Sequence, residues 1–306
     1  VSSAREAGYR LLGRRLDYLL HMRPAEWPIM AAHTAVGYVL AVGLAGAAAG
    51  VRLAPALVGL VLWVVCLNGG TLALNSAFDR DEGDVAYLRR PPVPPRYLAA
   101  FSIALMGAGQ ILAFRLAAPY PMAYGVCFVL SLAYSVPPLR LKAVAGADWI
   151  INMWGFGTLT PLAGWTATGL PIDMAHWLVL LAFCPLFAAL YPLTQLYQLE
   201  EDTRRGDRTL ACVLGVRRSL DAAIATAGVA FALFTAAGLR TGWRADGPDL
   251  WRWAGLGLAL VAWAWVLIPW RLQHARLAPS EHQRGMYRAL GAWAITDVVV
   301  VLAWGT

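Results

Sequence analysis

Two short stretches of this chain concentrate acids. The first reads Asn75-Ser76-Ala77-Phe78-Asp79-Arg80-Asp81-Glu82-Gly83-Asp84, the second Gln198-Leu199-Glu200-Glu201-Asp202-Thr203-Arg204-Arg205-Gly206-Asp207-Arg208. In each, a side-chain amide precedes an acid by four residues, Asn75 to Asp79 and Gln198 to Asp202. That spacing puts both groups on one face of a helix, provided each preceding apolar helix runs a turn past the bilayer. Two carboxylates about 4 Å apart repel by roughly 4 kcal/mol at an effective dielectric of 20, so such clusters call for a cation. Hard Mg²⁺ takes oxygen ligands and shares its coordination sphere with a substrate phosphate. Arg80, Arg140, Lys142, Arg204 and Arg208 stand near enough in sequence to hold the outer phosphate oxygens. The plain alternative is a pair of solvated loops that end helices and fix topology. Matched spacing in two places argues against it and suggests two related halves.

A third segment, Tyr134-Ser135-Val136-Pro137-Pro138-Leu139-Arg140-Leu141-Lys142, joins them. The proline pair ends a helix. Lys142 is the only lysine in the chain. A compact ammonium where arginine is used everywhere else suits a point-charge role beside phosphate.

The elements that must position these groups are set by composition. Of 306 residues 59% are hydrophobic and 14% charged, with 14 Trp and 29 Gly. A soluble domain carries about 25% charged residues, so a soluble enzyme is excluded. The formal net charge of +7 comes from short basic clusters between apolar segments, not from a stripe, so no nucleic-acid partner is expected. Cys66, Cys127, Cys184 and Cys212 form no C-x-x-C pair and are expected as buried or lipid-facing thiols.

Apolar segments near 27–50, 54–78, 97–116, 119–137, 148–169, 175–198, 218–239, 251–270 and 286–304 approach or exceed the ~20 residues that cross a bilayer. The expectation is an all-α polytopic integral membrane protein with nine transmembrane helices. With the N-terminus in the cytoplasm, only Arg52, Arg115, Arg240, Arg244 and Arg252 fall outside, and the other 20 of the 25 Lys and Arg fall inside. The positive-inside rule selects this topology and turns both acidic loops to the cytoplasm. Residues 1–26, with arginines interleaved among leucines, read as a basic amphipathic segment on an anionic leaflet. Residues 27–306 form the membrane domain.

The three motifs together resemble the UbiA-type intramembrane prenyltransferase superfamily. The resemblance extends to Arg23-Pro24-Ala25-Glu26-Trp27-Pro28 at the first span and to Gly206-Asp207-Arg208-Thr209-Leu210 after the second acidic loop. It implies a helical bundle around a central cavity, and a Mg²⁺-dependent enzyme. Such an enzyme ionises a polyprenyl diphosphate and passes the prenyl group to a hydrophobic or aromatic acceptor. Asn75, Asp79 and Asp202 match the superfamily's metal and diphosphate positions, with Asp81, Asp84 and Glu201 as further metal ligands. Arg23, Arg140 and Lys142 match basic positions expected near the diphosphate, and Arg80, Gln198 and Arg208 are further substrate-binding candidates from their places in the two acidic loops.

The first superfamily motif usually reads N-D-x-x-D-x-x-x-D. Here Ser76 replaces its first Asp and Gly83 its last. In the second motif, D-x-x-x-D, Gln198 replaces the first Asp. These departures keep open a second enzyme of the superfamily, a membrane terpene cyclase that needs no acceptor.

Polar groups at membrane depth add candidates. Asn152 is a substrate-binding candidate, with helix–helix hydrogen bonding as its alternative; Asp297 has no assigned role. Trp149, Trp154, Trp165, Tyr191 and Tyr197 are candidates to face a developing cation. A transporter with two acidic gates is the non-enzyme alternative, but its site belongs at the bilayer midplane.

Overall fold

The computed structural model describes residues 3–79, 88, 90–206 and 208–306. Among them the regular secondary structure is helical apart from isolated bridges. Two short helices, α1 (Ser3–Leu12) and α2 (Leu16–His21), precede the first long one, α3 (Trp27–Ala48). Next, α4 (Leu53–Val61) passes through a π-helical stretch, Leu62–Gly69, into α5 (Gly70–Asp79). Then come α6 (Leu98–Ala113) and α7 (Pro119–Ser135). A second broken helix follows: α8 (Ala147–Asn152), a π stretch over Met153–Leu159, and α9 (Thr160–Ala167). The remainder is α10 (Met174–Gln195), α11 (Leu199–Arg205), α12 (Leu210–Thr241), α13 (Leu250–Gln273) and α14 (Pro279–Trp304).

Six of these stretches are long and apolar enough to cross a membrane: Pro24–Ala48, Leu53–Asp79, Met174–Gln195, Leu210–Thr241, Leu250–Arg276 and Pro279–Trp304. The other three expected segments are also helical, but α6 and α7 have 16 and 17 residues and the third is the broken α8–α9. Prolines at the starts of α3, α7 and α14 cost no hydrogen bond, because the first N–H groups of a helix have no intrahelical partner.

The bundle closes on itself. A Cβ on Gly37 of α3 would collide with the Pro161 carbonyl, and one on Gly164 of α9 with the Thr34 carbonyl, so these two helices meet backbone to backbone. At the far end α3 breaks at Gly43, whose φ of 74° suits glycine, and the Leu44 N–H donates to the Gly305 carbonyl at 2.6 Å. Asp297 of α14 gains a role in this closure. Its carboxylate lies 3.1 Å from His33 Nδ1 of α3 and accepts from the Trp293 indole N–H at 3.1 Å. His33 Nε2 lies 3.2 Å from the Gly157 carbonyl.

One apolar core joins α3, α10, α12, α13 and α14 through Phe183, Leu186, Phe234, Trp263 and Trp293. A second joins the first π stretch, α5, α6, α7 and α9 through Trp63, Leu74, Met106, Tyr124 and Ala163. The N-terminal segment is docked: Tyr18 packs edge-on against Phe101 of α6 at 5.1 Å, and Arg5 donates to the Arg90 carbonyl at 2.9 Å.

Two expected boundaries shift. The helix expected to run to 198 stops at Gln195, and residues 199–205 form a separate helix. The one expected from 218 starts at Leu210 but breaks at Gly215 (φ 70°), which sets a rim segment apart from the span.

Candidate functional site

The described part of the first acidic motif, Asn75 to Asp79, lies on the last turns of α5. Asn75 and Asp79, one turn apart, meet the same cation: Lys142 donates to Asn75 Oδ1 at 3.1 Å and pairs with the Asp79 carboxylate. Arg140 NH2 stands 3.6 Å from the same Asp79 oxygen. The Lys142 and Asp79 side chains are about nine-tenths buried, whereas Arg140 is one-third exposed. Both cations come from the α7–α8 connector, where Arg140 sits at φ 35°. A non-glycine residue in that region costs about 1–3 kcal/mol and is held there by its surroundings.

The same connector reaches the second acidic motif. Val144 makes a parallel bridge with Arg208. Asp148 is fully buried at the start of α8, and its carboxylate accepts from the Gly146 N–H at 2.9 Å and the Leu210 N–H at 3.0 Å. Residues 140–148 therefore bind the end of α5 on one side and the start of α12 on the other, which gathers both acidic motifs at one end of the bundle.

Asp202 lies in α11, 6% exposed, and its N–H donates to the Gln198 carbonyl at 3.0 Å. Gln198 occupies the N-cap position of α11 and makes no side-chain cap bond. Burial pushes the Tyr197 phenol up to about 12; Tyr287, Glu26 and Asp202 add to the rise, and Arg23 opposes it. Arg23 and Asp202 are thus both electrostatic neighbours of Tyr197. Arg23 is itself buried, in a left-handed conformation (φ 50°), 3.7 Å from Glu26, and its Nε and Nη2 have no hydrogen-bond partner among the described residues. Buried guanidinium donors left open are a costly arrangement unless an anion completes them.

Arg208 is exposed, and among the described residues it joins the site through its backbone. Arg80, Asp81 and Asp84 lie outside the described residues, as does the Glu201 side chain. Among the described residues no three His, Cys, Asp or Glu gather to hold a metal by themselves. The donor set is carboxylates and an amide oxygen, which suits Mg²⁺, an ion that usually takes one or two carboxylates and completes its shell with water and substrate phosphate.

Beneath the rim lies a cavity of ≈ 180 Å³. One wall follows a single helical face through Asn75, Thr71, Asn68 and Trp63, a descent of roughly 18 Å at 1.5 Å per residue. Both π stretches line it, the first with Leu67 and Asn68, the second with Gly155 and Phe156. Such local widenings are frequent at functional sites. Asn152 borders the cavity and donates to the Asp148 carbonyl at 2.8 Å. Thr71 and Ser131 bond each other at 2.7 Å, and Trp63 donates to Thr160 at 3.3 Å. Asn68, 6% exposed, has an amide nitrogen with no partner among the described residues.

The cavity's aromatic walls are Trp63, Tyr134 and Phe156. The aromatics expected there lie elsewhere. Trp149 and Trp165 donate to the Ala188 and Leu170 carbonyls, Trp154 is 39% exposed, and Tyr191 bonds Tyr134 at 3.0 Å from behind the wall. Sequence reasoning missed Asp148 and Asn68, although an acid at the head of an apolar segment and a lone amide within one were visible signals.

A family model for the UbiA prenyltransferases matches residues 36–289. The chain belongs to the UbiA prenyltransferase family. Its fold is similar to that of a UbiA homolog from Archaeoglobus fulgidus bound to Cd²⁺ (TM-score 0.66, 18% identity, 93% of this chain and 99% of that one). The same homolog bound to GPP and Mg²⁺ also has a TM-score of 0.66 at 18% identity, covering 94% and 98%. A digeranylgeranylglyceryl phosphate synthase is similar with TM-score 0.70 at 13% identity, covering 94% and 97%. No curated protein matches the chain.

Proposed function

We propose that this UbiA-family protein is a Mg²⁺-dependent intramembrane prenyltransferase that takes a polyprenyl diphosphate and alkylates a lipophilic or aromatic acceptor. The observation that carries the reading is the 140–148 connector, whose cations hold Asp79 and whose backbone and Asp148 hold the segment after Asp202, above an apolar cavity. The similar Archaeoglobus structures with GPP or DMAPP and Mg²⁺ support it. We read nine membrane crossings, with residues 1–26 on the cytoplasmic leaflet and the site facing the cytoplasm. The distribution of Lys and Arg supports that orientation, and Leu11, 85% exposed on α1, supports the leaflet contact.

In this reading Asp79 and Asp202 hold Mg²⁺, with Asn75, Asp81, Asp84 and Glu201 close by in the chain. Bound Mg²⁺ supplies charge neutralisation for the departing diphosphate. Lys142, Arg140 and Arg23 bind the diphosphate oxygens and keep them at the rim. The prenyl chain enters the apolar cavity, gaining about 0.8 kcal/mol per buried CH₂. The C1–O bond breaks with its electron pair leaving on diphosphate, the acceptor's nucleophilic atom forms the new bond to C1, and the acceptor loses a proton. Trp63, Tyr134 and Phe156 exclude water and present ring faces to the positive charge.

The unpartnered Asn68 amide favours transfer over acceptor-free cyclisation. A hydrocarbon tail offers it nothing, whereas an oxygen-bearing acceptor satisfies it. The test is incubation of the purified protein with diphosphates of ten to twenty carbons, with and without Mg²⁺ and membrane extract, with products identified by mass. A prenylated acceptor formed only with Mg²⁺ is the expected result. A terpene hydrocarbon or alcohol formed from diphosphate alone supports the cyclase instead, and no Mg²⁺-dependent consumption overturns both.

A further inference from the structure

A second recess lies away from the cavity, in the groove where α13 and α14 diverge. It has a volume of ≈ 600 Å³, within the size range of small-molecule sites. Its apolar side is Trp265, Val266, Pro269 and Leu277; its polar side carries Arg284 and Arg288. Two features shape it. Pro269 interrupts the hydrogen-bond ladder of α13, and Gly285 lets the Trp270 ring lie flat against α14, where a Cβ would come within 2.8 Å of that ring. Trp270 is then fixed by donating to His282 Nδ1 at 2.9 Å.

Arg284 and Arg288 are one helical turn apart, both exposed, and neither guanidinium has a partner among the described residues. The one acid in the groove, Glu281, accepts the Ala278 N–H at 2.8 Å and so is fixed at the start of α14. The recess keeps a net positive charge. Its apolar wall continues onto the outer surface of α13, where Trp265 is 80% and Leu272 76% exposed. A ligand that fits must be anionic at one end and apolar along the rest.

We infer that this groove binds a phospholipid with an anionic headgroup: the phosphate is held by Arg284 and Arg288, and an acyl chain lies along Trp265 and Val266. A soluble anion leaves the apolar wall uncovered, and a zwitterionic lipid places its own cation among the guanidiniums. Basic recesses between membrane helices have this selectivity. The site is separate from the one assigned to the prenyl diphosphate and does not rest on that function.

The test uses the full chain in nanodiscs of mixed phosphatidylglycerol and phosphatidylcholine with matched acyl chains, with retained lipids counted by native mass spectrometry. Wild type is expected to retain one phosphatidylglycerol with about a tenfold preference. Arg284→Gln/Arg288→Gln should reduce that preference to below about twofold, while Arg284→Lys/Arg288→Lys, which keeps both charges, retains most of it. Arg276→Gln, an exposed arginine in the turn outside the groove, should leave it unchanged. Equal retention of the two lipids, an equal loss in Arg276→Gln, or displacement of the lipid by inorganic phosphate would each overturn the inference.

Discussion

The two acidic rims differ in how they are held. The first is the end of a continuous helix: Asp79 closes α5, and side chains secure it, with Lys142 bridging Asn75 and Asp79 and Arg140 beside them. The second is a helix of its own, α11, and the backbone secures its far side, through the Val144–Arg208 bridge and the Leu210 N–H on Asp148. One connector serves both. In the proposed reading the first rim meets a ligand with its carboxylate already matched by protein cations, so exchanging charges there should change the chemistry. The second rim depends on the buried carboxylate of Asp148, which is taken up by the Gly146 and Leu210 N–H groups, so its weak point is structural.

Substitutions can break this contrast, and the largest effect belongs to the carboxylates. Asp79→Asn and Asp202→Asn should each cut Mg²⁺-dependent turnover by about 10²–10³-fold, the scale of losing a preorganised electrostatic contact, with the protein still folded by size-exclusion chromatography. Chelation of divalent ions should abolish wild-type turnover and be reversed by Mg²⁺. Lys142→Met should approach the same loss in turnover. Lys142→Arg should recover only part of it, because a planar fork cannot replace a point charge between Asn75 and Asp79. Asp148→Ala separates the rims differently: thermal unfolding in detergent should show a loss of about 1–3 kcal/mol for each of the two N–H groups left unsatisfied. The smallest effect is at the cavity wall. Asn68→Leu should reduce acceptor-dependent turnover by about two- to tenfold, a neutral hydrogen bond's worth, and leave binding of a non-ionisable prenyl diphosphate analogue unchanged.

Much of this was legible in the sequence because it depends on local period and charge. The apolar segments and the face shared by Asn75 and Asp79 follow from the spacing of residues along a helix. The lone lysine among arginines marked the residue that meets both. Burial at a distance left no such trace. Nothing local in Gly146-Ala147-Asp148 announces that its carboxylate caps the backbone of Leu210, 62 residues on. The second amide–acid pair looked like the first, but α10 ends at Gln195 and the chain starts a new helix at Leu199, so equal spacing describes two different constructions. The cavity aromatics left no local trace either: Trp63 and Phe156 line the cavity from π stretches, where the helical register departs from the regular α period.

The central claim is that Asp79 and Asp202 act on one ligand. A double-mutant cycle of Asp79→Asn and Asp202→Asn on Mg²⁺-dependent binding of a non-ionisable prenyl diphosphate analogue tests it most directly. Both single variants should weaken binding, and the two effects should couple by at least ~1 kcal/mol, as for residues in one interaction network. Additivity to within about 0.5 kcal/mol, or an Asp202→Asn variant that binds like wild type, would contradict it.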